Sequence, residues 1–354
     1  MFERFNGSVF DRSIEDLDRR AQIAGLVGAL SLLGAFLSFV FAPGFTGFPA
    51  FVFVVVAVYG WIAYQSETAK ALSFLTTAST VVILGLITAY LFVKAVPIAT
   101  KMGLSLLTGT VWDPTGQRYA LFPMIWGTFV TTLIATLVAA PLGIAGAIYI
   151  SEIAPPTVRE LVKPAIELLA GIPSIVYGFV GGIVVNKYMM DVFHLPSLGS
   201  FFLVGLFIGF MALPTVVSVA EDALNAVPNT MKDGAIALGT TDWQATTAVA
   251  LPTAISGISA AVLLGVGRAV GETMAATIIL ANVTRLPKPL YDVFGNTITL
   301  TSLIASQYGP AIGRPSQLSA LFAAGVVLFV TVLILSVGSQ LIEWRMRRVL
   351  EGNQ

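Results

Sequence analysis

Arg268 and Glu272 are ionisable residues in a stretch that otherwise carries none from Asp242 to Arg285. A helix running on from Pro252 places Arg268 sixteen residues along its axis, about 24 Å at 1.5 Å per residue, which is well inside a bilayer. Four residues apart, the two side chains share one helical face and can pair. Gly265, Gly267 and Gly271 let another helix or a substrate approach the backbone. Ionised groups at this depth cost several kcal/mol, on the order of a short buried contact, unless paired or wetted, and by default they mark a pathway. Two readings stand. Either the pair fixes helix packing, or Arg268 offers its planar donors to an anionic substrate while Glu272, followed by Thr273, holds or relays it.

A second constellation lies just upstream. Glu221-Asp222-Ala223-Leu224 leads through Val227-Pro228 to Asp233-Gly234-Ala235-Ile236-Ala237-Leu238-Gly239, and on through Thr240-Thr241-Asp242-Trp243 to Val249-Ala250-Leu251-Pro252. Pro228 can open a helix, and Gly239 can take the positive φ that stops one. Thr240 to Asp242 can cap the next helix. The spacing predicts a helix–turn–helix on the membrane surface, with Pro252 leading back into the bilayer.

The elements around these residues follow from the apolar blocks. Hydrophobic residues make up 56% of the 354 residues and charged ones 11%, with a mean hydropathy of +0.88. That is too apolar for an ordinary soluble globule. Charge-free stretches run from Arg20 to Glu67, Lys70 to Lys94, Arg118 to Glu152, Glu167 to Lys187, Asp191 to Glu221, Asp242 to Arg268 and Arg314 to Glu343. Nearly all exceed the roughly 20 residues a helix needs to cross the hydrocarbon core. Only helices suit blocks of this length, because the backbone must satisfy its own hydrogen bonds in lipid.

The pattern therefore predicts an all-α polytopic membrane protein with eight spans, near 21–42, 48–65, 71–94, 122–150, 168–186, 200–220, 253–281 and 317–343. The first two, joined by Pro43-Gly44 to Gly47-Phe48-Pro49, form a hairpin. Residues 1–20 are charged and lack the apolar run of a cleaved signal peptide. With both ends cytoplasmic, eleven Lys and Arg lie inside, seven outside and Arg268 within a span, a modest bias in the expected direction. The long outside loops are then 95–121 and 282–316. Net charge is zero and cysteine is absent, so nothing suggests nucleic acid, disulfides or thiolate chemistry.

The loop at 221–252 resembles the EAA loop of ABC importer permeases: an acidic residue and two small ones, three residues, Gly, nine residues, an aliphatic residue, one residue, Leu-Pro. Here Asp233-Gly234-Ala235, Gly239 and Val249-x-Leu251-Pro252 match that spacing, with Asp for Glu, Gly for Ala and Val for Ile. The run Glu167-Leu-Leu-Ala-Gly-Ile-Pro-Ser-Ile-Val-Tyr-Gly-Phe179 and Gly267-Arg-Ala-Val-Gly-Glu-Thr-Met-Ala275 are similar to phosphate permeases of the Pst system. Glu221-Asp222, Met274, Trp112-Asp113-Pro114 and Thr299 to Ala305 resemble the PstC-type subunit more than its PstA-type companion. The likeness runs from about residue 71 to 343.

The resemblance implies a six-helix permease core at 71–345, with the hairpin at 21–70 as an addition and a cytoplasmic tail at 346–354. It implies that Asp233, Gly234, Ala235, Gly239, Leu251 and Pro252 belong to a helix that docks on a separate ATPase. It also implies partners: a homologous PstA-type permease, ATPase subunits holding ATP and Mg, and an extracytoplasmic phosphate-binding protein, in the cell membrane. This chain has no Gly-x-x-x-x-Gly-Lys-Ser/Thr run to bind nucleotide, so it is expected to hold no cofactor and to be no enzyme by itself. A permease for molybdate or sulfate is the alternative, and an ATP-independent secondary transporter a more distant one, since paired broken helices in two halves are not evident. The remaining features carry blander readings. Gly171-Ile172-Pro173 kinks the entrance to a span, His194 is a solvated loop residue without metal-ligand company, and Glu152 to Glu167, with Arg159 and Lys163, is a solvated amphipathic helix.

Overall fold

The computed structural model describes residues 19–194 and 198–351. The charged stretch before Arg19, with its expected cytoplasmic placement, and the last three residues of the tail lie outside them. Eight helical segments among the described residues are long and apolar enough to cross a membrane: Gln22–Phe41, Pro43–Ala63, Gln65–Met102, Phe122–Ile153, Ser174–Val192, Phe201–Asn225, Asp242–Gly271 and Pro315–Gly338.

The described residues divide into two compact units, one before and one after the boundary between Thr88 and Ala89. In the first, α1 (Arg19–Phe41) and α2 (Gly47–Ala63) form the expected hairpin around a 3-10 turn at Pro43–Phe45. Gly28 faces Val56 and Gly34 faces Pro49 across it, small residues that bring the helices close. Tyr64 alone separates α2 from α3 (Gln65–Met102). The loop expected at 66–70 is therefore helix instead. Ser66 to Lys70 hold no breaker, and Glu67 in the first turn suits the helix dipole.

In the second unit α3 continues past Pro97, so 95–102 is helix rather than loop. Ser319 makes this possible. Its hydroxyl donates to Lys94 O (2.8 Å) and accepts from Ile98 N (3.2 Å), splicing into the helical ladder next to the proline. After α4 (Ser105–Thr108), an antiparallel ribbon pairs β1 (Trp112–Asp113) with β2 (Arg118–Tyr119), and the Trp112 and Tyr119 rings meet edge to face at 5.3 Å.

The core is α5 (Phe122–Ile148), α9 (Phe201–Asn225) and α12 (Leu251–Gly271). Helix α9 is central: 61% of its apolar window is buried, against at most 28% for the other seven spans. Close approach explains how. A Cβ at Gly205 would lie 2.5 Å from Ile134 Cβ, and one at Gly209 2.8 Å from Val138 Cβ. Both contacts are with α5, whose β-branched side chains cannot swing aside. Gly205→Val is therefore expected to destabilise the bundle by about 1–3 kcal/mol, read as a lower thermal midpoint of the detergent-purified protein.

Between α5 and α9 lie a π turn at Tyr149–Ile153, α6 (Pro156–Gly171), α7 (Ser174–Phe179), a second π turn at Val180–Val185 and α8 (Asn186–Phe193). The fifth span starts at Ser174, six residues later than the pattern suggested, because Ile172 and Pro173 are extended and end α6. Helix α6 buries no residue. Beyond α9 come α10 (Asn229–Ala237) and α11 (Asp242–Ala245), then a π turn at Thr246–Ala250 that runs unbroken into α12. Pro252, lacking an N–H, sits beside this widened turn instead of starting a new helix. After α13 (Met274–Ile279), the segment expected as a loop to residue 316 contains α14 (Leu300–Ala311), and α15 (Pro315–Glu351) closes the unit.

Candidate functional site

Helix α12 stops at Gly271, so the seventh span is not the continuous 253–281 helix expected from hydropathy. Glu272 is extended (φ −67°, ψ 126°), and Thr273 precedes the short α13. The break is built from hydroxyls and one carboxylate. Glu272 Oε1 accepts from Ala275 N at 3.1 Å, capping α13, and Glu272 O accepts from the Thr301 hydroxyl at 2.7 Å. Thr273 donates to Gly271 O at 3.1 Å. Irregular backbone at membrane depth persists only where it is satisfied inside protein or lines water, and these bonds supply the first condition.

The Arg268–Glu272 pair that helical spacing allowed, one of the two readings, does not form. With the helix ended at Gly271, a spacing of four no longer places Glu272 on the Arg268 face, and its carboxylate turns to Ala275. Arg268 is exposed, with no hydrogen-bond or ion-pair partner among the described residues. The Tyr177 hydroxyl of α7 donates to Leu169 O at 3.1 Å. The glycines divide by face. Gly265 packs on α9, where a Cβ would lie 2.6 Å from Val216 Cγ2, whereas Gly267 and Gly271 meet nothing within 4 Å. One side of α12 is thus seated, and the side with Gly267 and Gly271 is left open by the described residues.

Sequence reasoning missed the support behind the break. Thr299, Thr301 and Ser302 are buried. Thr299 and Ser302 form a capping box at the start of α14, Thr301 reaches Glu272, and Thr128 of α5 accepts from Leu300 N at 2.9 Å. The signal available was three hydroxyls within four residues of an apolar chain.

The helix–turn–helix expected in the second constellation forms, although α11 runs through the π turn into α12 without a break at Pro252. Pro228 opens α10, Gly239 has φ +91°, and Thr241 caps α11 in a capping box with Gln244. Asp233, Gly234, Gly239 and Pro252 are exposed, and Ala235 is half-buried. Leu251 packs against the apolar cluster that includes Leu224, Val227 and Ile258. Met231, Ile236 and Trp243 are exposed and Leu238 is 89% exposed, an apolar surface on a short surface helix.

Two ion pairs tie this end of the bundle together. Lys232 Nζ lies 2.6 Å from Glu152 Oε1, and Lys163 Nζ lies 3.2 Å from Glu221 Oε1. Glu152 and Lys163, expected to be solvated, are instead cross-linked to neighbouring elements, because α6 and α10 lie over the ends of α5 and α9.

Over residues 140–348 the chain matches the family described as binding-protein-dependent transport system inner membrane component. It is 38% identical over 250 residues to the probable ABC transporter permease protein YqgH of Bacillus subtilis, covering 69% of this chain and 80% of that protein. With the phosphate transport system permease protein PstC of Mesorhizobium japonicum it shares 35% identity over 276 residues, 72% of this chain and 83% of the relative. Its fold is similar to a chain in the crystal structure of a bacterial alginate ABC transporter in complex with an alginate pentasaccharide-bound periplasmic protein. There the TM-score is 0.56 at 15% identity, covering 80% of this chain and 98% of that one.

The chain belongs to the family of inner membrane components of binding-protein-dependent transport systems. Within it, as the motifs led one to expect, it is similar to PstC permeases over most of its length.

Proposed function

We propose that this chain is the PstC-type permease of an ATP-driven phosphate importer, and that Arg268 with Glu272 and Thr273 lines its anion path. The observation that carries this is Arg268, which has no hydrogen-bond or ion-pair partner among the described residues, beside a broken span. A guanidinium without a carboxylate partner is costly against lipid and by default faces a wetted path or another protein surface. It is free to take an oxyanion in a planar two-bond grip. Glu272 commits one oxygen to Ala275 and keeps acceptor capacity for the hydroxyl that phosphate carries and sulfate lacks.

The exposed apolar surface of α10 and its flanking turn, with Asp233, Gly234, Ala235 and Gly239, docks on an ATPase, and Leu251 and Pro252 carry the motion into α12. ATP and Mg belong to that partner. A PstA-type permease covers the open side of α12, a phosphate-binding protein delivers at the opposite end of the bundle, and both termini are cytoplasmic. Access to the site then alternates by rigid-body rearrangement of the spans.

The test is labelled-phosphate uptake by proteoliposomes holding both permeases, the ATPase and the binding protein. Uptake is expected to require ATP and to withstand excess sulfate and molybdate. Competition by either anion transfers the assignment to that oxyanion, and uptake without the ATPase removes the ABC mechanism.

A further inference from the structure

Helix α10 buries no side chain. A displacement applied to it reaches the bundle along the chain, through its packing on the π turn at Thr246–Ala250, and through cross-ties. Along the chain it reaches α9 through Val227 and Pro228, and α12 through the Gly239 turn and α11. Its tie to α5 is of another kind. Lys232 Nζ meets Glu152 Oε1 at 2.6 Å across eighty residues of sequence, and Glu152 sits in the π turn that ends α5. Side-chain exposure is 18% for Lys232 and 9% for Glu152, so water screens this pair far less than a surface ion pair.

The tie continues inward. Ser151 Oγ is within hydrogen-bond distance of Glu152 Oε1 (3.0 Å) and Asn225 Oδ1 (2.9 Å). Asn225 Nδ2 donates to Glu221 Oε1 at 3.3 Å, the oxygen that also receives Lys163. Arg159 of α6 donates to Ser151 O at 2.8 Å. The single Ser151 proton serves one of its two acceptors at a time; the continuous ties run from α10 to the end of α5 through Lys232, from there to α6 through Arg159, and from α6 to α9 through Lys163. Apolar contacts allow sliding, whereas a short, covered ion pair holds one point of α10 at one point of α5. π turns recur where helices serve function, and this one carries both Ser151 and Glu152.

We propose that Lys232 and Glu152 are positioning residues that make α5 travel with α10, so that a stroke on α10 moves α5, α9 and α12 together. The proposal rests on the reading of α10 as the ATPase-docking helix. Without the pair, α9 and α12 still feel the stroke through the chain, the end of α5 follows only through its packing on α9, and hydrolysis runs with less productive opening of the path.

The experiment measures phosphate uptake and ATP hydrolysis in the same reconstituted complex for Lys232→Met, Glu152→Gln and the exchange Lys232→Glu with Glu152→Lys. Each single variant is expected to hydrolyse ATP within about threefold of wild type and to lose about tenfold in phosphate moved per ATP, a typical coupling magnitude. The exchange is expected to regain most of that loss, which a merely structural role would not predict. Wild-type phosphate per ATP in the single variants, or an exchange no better than they are, overturns the proposal. A second readout needs neither transport nor hydrolysis. The chain has no cysteine, so spin labels at Thr230→Cys on α10 and Leu142→Cys on α5 report their separation directly. Wild type is expected to keep one narrow distance with and without trapped nucleotide, and Lys232→Met to broaden it. Equal widths overturn the tie. If the wild-type complex carries no phosphate, the functional reading fails, and the distance measurement still judges the tie.

Discussion

Arg268→Gln is expected to lower phosphate uptake on the order of a hundredfold, the loss typical of truncating one side of a desolvated charged contact, while the complex still assembles. Assembly should survive because Arg268 contributes no hydrogen bond or ion pair to its own chain among the described residues; nothing in the bundle depends on it. Initial uptake rates in proteoliposomes, set beside the subunit ratio of the purified complex, make the measurement. Arg268→Lys refines it. The ammonium keeps the charge but lacks the planar fork, so a partial rate is expected. Glu272→Gln separates the neighbouring role: the amide oxygen can still accept from Ala275 N and preserve the break, leaving only the charge altered. An assembled Arg268→Gln complex that transports at the wild-type rate would take Arg268 out of the anion path and remove the site assignment.

Leu238→Glu is expected to strip the ATPase from the complex. With 89% of Leu238 exposed in this chain, its replacement leaves the permease fold intact, so the isolated protein should remain monodisperse with an unchanged thermal midpoint. In the docked complex the same side chain is expected to be covered. Losing its apolar contact costs about 1.5–3 kcal/mol, and burying a carboxylate in its place adds more, so docking should weaken by roughly a hundredfold or beyond. Co-purification of the ATPase against salt-washed wild type decides it. Full retention of the ATPase by the variant would mean that α10 docks elsewhere.

Both predictions rest on elements that were legible to different degrees. The α10–α11 loop could be read in detail because its signals are local: Pro228, Gly239 and Thr241 act on their own backbone and need no distant partner. The spans were legible for a related reason, since bilayer thickness sets a minimum length that a composition window detects. Hydropathy failed where the competing signal was tertiary. The break at Glu272 lies within an apolar run, and a helix through it violates no local rule. What favours the break is the Thr301 hydroxyl, twenty-nine residues away, together with the carboxylate cap on Ala275. The Pro97 region shows the reverse. The charge-free block stops at Lys94 and the span was expected to end there, yet the helix runs on past Pro97 because Ser319, more than two hundred residues downstream, repairs the ladder.

The sequence by itself determined a membrane solvent, an all-helical answer, the approximate positions of eight spans, the shape of the surface loop and the family motifs, because each depends on composition or on neighbours a few residues apart. Only the tertiary structure decided that Arg268 stands apart from Glu272, that Glu221 is buried against Lys163, and that Lys232 ties α10 to Glu152. Charge pairing depends on which elements come within a few ångströms of one another, and a one-dimensional pattern does not contain that distance.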